Sequence, residues 1–311
     1  METPLAPEDE SLINLLLLGA SRVRHNQTTQ IAPIFNNNNL QLSEIRLKTY
    51  KTKEISEFYT IAGFTVEEND KNLEISYDTK TFIKFIKENL WRRNTKRGPG
   101  LSHIGVKFSC KKLLIKHISN ILLNFPQSFK GIVNNQVSTS LYFSDPDGNI
   151  LKFYVDSPEH TWLWKENGNI QYNVSKLDIT QFVQYEAENC DCEKCVIELG
   201  LIHLQVSRLK PFHLIFDKFI KMNTTLSLPS VMFFGADGYH HNIAINTWNS
   251  RNSSPMSKDL LKGFKININK DSFANLINEI ECFDEETRTI FKVLDNSLLI
   301  VEQGIEIEIV S

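Results

Sequence analysis

The chain has 311 residues, 41% of them hydrophobic and 23% charged, and a formal net charge of −3. This is an ordinary globular composition, and with charge nearly balanced no strong field favours nucleic acid or an anionic membrane. The expected partners are therefore small molecules, with no nucleic acid and no membrane, since no apolar run reaches the roughly 20 residues that span a bilayer.

Residues 1–39 read as an N-terminal arm, with an apolar helix candidate at Leu12 to Ala20 and a polar end at Asn36 to Asn39. Acidic Glu8-Asp9-Glu10 stands where an export signal would be basic, and the five cysteines are an odd number. Both observations imply a reducing, cytoplasmic setting. The sequons at Asn26, Asn173, Asn223 and Asn252 are then incidental.

From residue 40 the pattern repeats. Four alternating strand starts are expected at Leu42 to Leu47, Leu101 to Val106, Leu201 to Val206 and Phe264 to Ile268, each followed by an amphipathic helix. The helices are predicted over residues 53–62, 112–123, 211–221 and 272–280. The basic run Trp91 to Arg97 reads as a solvated loop before Gly98-Pro99-Gly100, and Cys190-Asp191-Cys192-Glu193-Lys194-Cys195 as a cysteine-rich acidic linker.

Strand, glycine turn, strand marks three later hairpins. Ser140 to Phe143 turns through Asp145-Pro146-Asp147-Gly148 into Ile150 to Tyr154. Val231 to Phe234 turns through Ala236-Asp237-Gly238 into Tyr239-His240-His241-Asn242 and an alternating stretch ending at Trp248. Ser297 to Val301 turns through Glu302-Gln303-Gly304 into Ile305 to Ile309. Aligned on the glycine, Lys152, Asn242 and Glu308 occupy matching places.

The fold class expected is α+β, with tandem paired βαβββ modules, four in all, forming two curved mixed sheets with flanking helices. Sequential pairing predicts a domain over 40–160, an interdomain segment over 161–198 and a second domain over 199–311. The residues from Ser140 to Asn149, Trp162-Leu163-Trp164, Leu177-Asp178, Gly200 to Ser207 and Gly238 to Trp248 resemble the vicinal oxygen chelate superfamily. Within it they are similar to the two-domain ring-cleaving dioxygenases of the catechol 2,3-dioxygenase type.

The resemblance implies a metal-dependent extradiol dioxygenase acting on a small aromatic diol with dioxygen, and a cofactor of Fe(II), with Mn(II) or Zn(II) as substitutes. Two His and one carboxylate would hold such a metal on one face. It implies His203, His240 and Glu308 as the metal ligands. His241 and Tyr239 would move protons, and Asn246 and Trp248 would contact substrate; a homo-oligomer is compatible with this. The chain departs from the family pattern at Leu201, at Asn242 and at Asn135-Gln136, where relatives carry histidine. His103 reads as a structural residue, because its partner position holds the cation Lys152. Trp162 and Trp164 are expected to staple the interdomain segment to a sheet. Two further readings stand beside the dioxygenase: a degenerate, metal-free member that binds a small ligand or partner without turnover, and a glyoxalase-type isomerase or lyase.

Overall fold

The computed structural model describes residues 28–29, 39–88, 98–184, 195–253, 260–283 and 288–311. The Leu12 to Ala20 helix candidate, the run Trp91 to Arg97 and most of the 190–195 cysteine cluster lie outside them. Among the described residues, Cys110, Cys195 and Cys282 are free thiols.

A two-residue strand β1 (Thr28–Thr29) precedes the four repeats. The first repeat is β2 (Gln41–Thr49), α1 (Thr52–Ile61), β3 (Thr65–Glu68), β4 (Asn72–Tyr77) and β5 (Lys80–Lys87). The second is β6 (Gly100–Phe108), α2 (Lys111–Asn124), β7 (Phe129–Asn134), β8 (Ser138–Ser144) and β9 (Ile150–Asp156). Next come β10 (Trp164–Lys165), β11 (Ser175–Lys176) and the short helix α3 (Ile179–Gln184).

The third repeat runs through β12 (Ile197–Gln205), α4 (Leu209–His213), a π-helical continuation Leu214–Phe219, β13 (Asn223–Leu228), β14 (Val231–Gly235) and β15 (Ile243–Asn246). The fourth comprises β16 (Leu261–Asn267), α5 (Lys270–Glu281), β17 (Phe291–Val293), β18 (Ser297–Glu302) and β19 (Ile305–Val310).

The helices form where apolar residues recur at three- and four-residue spacing. Ile55, Phe58 and Tyr59 of α1 and Leu114, Ile118 and Ile121 of α2 are buried on that stripe. Asn269 caps α5 by accepting the Ser272 N–H at 2.7 Å. His117 of α2 is packed in the core, its Nδ1 2.6 Å from the Ala62 carbonyl.

The modules do not pair in sequence order. One sheet has nine strands, β11-β7-β8-β9-β6-β12-β15-β14-β13, and joins the second repeat to the third. The other has eight, β17-β18-β19-β16-β2-β5-β4-β3, and joins the first repeat to the fourth. The expected domains 40–160 and 199–311 are thus replaced by an inner pair of repeats nested inside an outer pair. The reason lies in edge chemistry: β2, β6, β12 and β16 carry equivalent alternating patterns, so periodicity cannot choose between them. The choice is made by shape at the seam. A Cβ on Gly105 would sit 2.6 Å from the Leu201 Cβ, and one on Gly200 would sit 2.1 Å from the Tyr154 hydroxyl.

One hydrophobic core lies between the two sheets and includes Ile104, Val106, Leu151, Phe153, Ile202 and Leu204 from one and Ile45, Leu47, Phe264, Ile266, Ile307 and Ile309 from the other. Period-two alternation then sends His103, Lys152, Leu201 and His203 to the outer face of the nine-stranded sheet. It sends Glu44, Arg46, Lys265 and Glu308 to the outer face of the eight-stranded sheet, on the far side of the molecule.

Substituting Gly200→Ala should overpack this seam, because Tyr154 is fully buried and cannot swing away. We expect a loss of about 2 kcal/mol, within the range typical of added core volume, read as a lowered urea midpoint at unchanged slope.

Candidate functional site

The outer face of the nine-stranded sheet is covered by the segment that follows β9. Trp162, Trp164, Ile170 and Tyr172 pack with Leu201, Phe233 and Ala244 into a second apolar cluster. The strap is held by backbone bonds, Ile170 N–H to Thr225 O at 2.6 Å and Gln171 N–H to Leu163 O at 2.7 Å, and by Asn135, whose amide donates to the Tyr172 hydroxyl at 2.7 Å. β1 adds to it through β10. Trp162 packs edge-on to His240, ring centroids 4.8 Å apart, so the tryptophans do staple the segment to the sheet.

Beneath this cover lies a buried polar cluster. His103 and His203 face each other across the β6–β12 pair, with ring centroids 4.6 Å apart. The pseudo-twofold axis through that pair makes Leu151, partner of Ile104, equivalent to Ile245, partner of Leu204. Lys152 is therefore the counterpart of Asn246. The glycine alignment that matched Lys152 with Asn242 fails, because the connection from β14 to β15 is long, with Asp237 and Gly238 both at positive φ. Asn242 instead turns its Oδ1 to the Ala236 N–H at 3.0 Å. It borders a cavity of about 450 Å³ lined by residues of both sheets, among them Lys107, Glu198, Tyr239 and Asn267.

Four equivalent positions thus converge: His103, Lys152, His203 and Asn246, each at most 3% exposed. Their hydrogen bonds fix their protons. The Asn246 Oδ1 accepts the Trp248 N–H at 3.1 Å, so its Nδ2 must be the donor 2.8 Å from His203 Nε2. His203 then carries its proton on Nδ1. Burial, reinforced by the Lys152 charge, pushes the His203 pKa down to about 3, and burial, His203 and Lys152 push that of His103 well below the ordinary histidine value. Both rings are neutral. Burial also brings the Lys152 ammonium down to about 8, against the opposing pull of Asp156.

The paired histidines form a different device. Asp156 accepts from His240 Nε2 at 3.1 Å, and His240 Nδ1 lies 2.7 Å from His241 Nδ1. A carboxylate only accepts, so His240 keeps its proton on Nε2 and takes a hydrogen bond from the Nδ1–H of His241, whose Nε2 lone pair remains. Burial lowers the pKa of both rings, with Asp156 resisting at His240. Burial alone would raise the Asp156 carboxyl, but the His240 hydrogen bond and charge, with Lys107 at 3.0 Å, hold it below the usual carboxylate range. Tyr239 donates to the same carboxylate at 3.0 Å, and Tyr154 places its hydroxyl 3.0 Å from that of Tyr239.

The structure brings His203, His240, His241, Tyr239, Asn246 and Trp248 to one side of one sheet, with the Trp248 ring centroid 5.8 Å from that of His203. It does not bring Glu308 there. Glu308 lies on the opposite outer face, paired with Arg46 at 3.0 Å and Lys265 at 3.8 Å. The expected triad of His203, His240 and Glu308 is corrected accordingly. His240 has both ring nitrogens engaged, and His203 Nε2 faces an amide donor. Asn246 and Tyr239, expected to contact substrate or move protons, are engaged by His203 and by Asp156.

The residues that sequence reasoning missed are Asp156 and the central role of Lys152 beside His103. Their signal was a cation inside an otherwise apolar strand, Ile150 to Val155, followed four residues later by an acid on the same face.

The chain is 28% identical over 258 residues to a catechol-2,3-dioxygenase of Bacillus subtilis (strain 168), covering 77% of this chain and 88% of that one. This likeness and the fold together support membership of the vicinal oxygen chelate superfamily. No family model matches the sequence. Among solved structures, the CppA protein of Streptococcus pneumoniae TIGR4 aligns with a TM-score of 0.51 at 12% identity, over 88% of this chain and 99% of that one. Glyoxalase I of Zea mays aligns at 0.50 and 13% identity, over 88% and 92%. At such identities the structural likeness speaks for the fold, a mixed α+β arrangement of paired modules in two sheets.

A metal, as the superfamily resemblance implies, does not fit this donor set. The four central positions offer two imidazoles, an ammonium and an amide, with no carboxylate, and a cation fixed among neutral donors repels a second cation. Among the described residues no group of three or more His, Cys, Asp or Glu is arranged to hold a metal ion.

The buried ammonium gives a stability signature. Below pH 8 both folded and unfolded forms of Lys152 are charged and its desolvation cost is fully present. Between about 8 and the unfolded value of 10.5 the folded form sheds its proton first, so stability is recovered as pH rises, by about 3 kcal/mol in all. The other titratable groups around it are His103, His203, His240, His241, Lys107 and Asp156. We expect Lys152→Met to be more stable than wild type at pH 7.5 and to lose most of that advantage by pH 10, measured by denaturant titration at both values.

Proposed function

We propose that this dioxygenase-like chain is a metal-independent member of its superfamily that binds a small ligand on the outer face of the nine-stranded sheet and performs no oxidative ring cleavage. The observation that carries this reading is Lys152 at the centre of the pseudo-symmetric cluster. Ring cleavage of the extradiol type needs an ion that takes both catechol oxygens and dioxygen, and a lysine there supplies a positive charge without open coordination positions. The similarity to the Bacillus catechol-2,3-dioxygenase favours a small aromatic as ligand class. The odd cysteine count and the free thiols suit a cytoplasmic location; no helix among the described residues is long and apolar enough to cross a membrane.

In this reading each residue has a binding or supporting task. Lys152 holds the site positive, Asn246 fixes the His203 tautomer, and the strap from Trp162 to Tyr172 excludes water. Asp156 and Tyr239 orient His240, which orients His241. His241 presents the one lone pair of that chain that is not already engaged among the described residues.

Two measurements test this together. Wild-type protein reconstituted anaerobically with Fe(II) and desalted should retain less than a tenth of an equivalent of iron, and catechol with air should give no yellow ring-opened product. Lys152→Glu, which sets a carboxylate beside His103 and His203, should gain measurable Co(II) binding by visible absorption. Stoichiometric iron in the wild type with product formation would overturn the proposal.

A further inference from the structure

The Lys152 side chain is 1% exposed, lies over the Tyr154 ring with Nζ 4.6 Å from its centroid, and makes no hydrogen bond or ion pair among the described residues. Asp156, the nearest acid on its strand, is already engaged by Lys107, Tyr239 and His240. An ammonium withdrawn from bulk water without a protein acceptor is costly, and a ring face offsets only part of that. The arrangement therefore leaves a donor that an anion would satisfy in both hydrogen bonding and charge.

Three further features say which anion. His203 bears its proton on Nδ1, because Asn246 donates to Nε2, so it presents an N–H with no acceptor among the described residues. Two donors of this kind match the two oxygens of a carboxylate. The surroundings are aromatic: Tyr142 lies 5.6 Å from His103, and Trp248 and Phe233 lie 5.8 and 6.3 Å from His203, between ring centroids. Such walls suit a flat apolar body carrying the charge at one end.

We infer that Lys152 and His203 form an oxyanion-binding pair for a small aromatic carboxylate, the ammonium standing as the fixed positive centre of the cluster. This rests on the metal-free reading above and names its ligand class. No covalent step is involved: the carboxylate accepts from Lys152 Nζ and His203 Nδ1, and its ring packs against the side chains of Tyr142, Phe233 and Trp248 that neighbour His103 and His203. The strap has to lift for access, because Trp164 and Ile170 close the face.

The test uses the full chain, with benzoate as probe and benzamide, of the same shape without the charge, as control. In calorimetric titration benzoate should saturate one site per chain and bind at least tenfold more tightly than benzamide. Lys152→Met should weaken benzoate at least tenfold while raising the melting temperature of the ligand-free protein, which shows that the variant is folded. Equal affinity for the two probes, undiminished benzoate binding by Lys152→Met, or no benzoate saturation would each overturn the inference. The metal-free reading fails separately, through iron retention by the wild type, whatever benzoate does.

Discussion

Everything in the site depends on how closely two backbones approach at the seam between β6 and β12. With no side chain at Gly105 or Gly200, Leu201 and Tyr154 can occupy the space where a Cβ would otherwise stand. That contact sets the register that puts His103 opposite His203. A shift by one residue would turn both rings into the core and bring Ile104 and Ile202 out under the strap. The polar cluster is in this sense a product of packing first and of chemistry second.

Electrostatics then divides the outer face into two parts. Around Asp156 the charges are matched: a carboxylate held by a lysine, a tyrosine and a histidine, passing its order along to His241. Around Lys152 they are not matched, and the surrounding histidines are forced neutral because burial and the ammonium both oppose their protonation. Where the resemblance implies acids and imidazoles around a metal, this chain gathers imidazoles around a lysine ammonium. On the proposed reading this reverses the sign of the ligand that suits the site.

Much of the fold was legible in the sequence, since each module announces itself through a change from period two to period 3.6 and back. The helices of residues 53–62, 112–123 and 272–280 match α1, α2 and α5 to within two residues at either end. What could not be read was which modules share a sheet, because the candidate edges have the same alternation and the seam glycines are single residues without a pattern. That one gap carried through to the site. Glu308 looked like a ligand because it matched Lys152 by distance from a glycine, yet the sheets separate the two by the whole thickness of the core. The same alignment hid the equivalence of Asn246 with Lys152, which needs the register of β15, set by a connection longer than a tight hairpin. Asp156 went unread because an acid near a strand end is common, and only its three partners in space give it meaning.

The strap across the nine-stranded sheet has a kinetic consequence. Trp164 and Ile170 pack in the cover over this face, so on the proposed reading exchange is gated by a local opening whose free energy belongs to the protein alone. The rate of uptake would level off as ligand concentration rises, at the speed with which that band of aromatic residues lets go. The site would be slow to fill and slow to empty even where its affinity is modest.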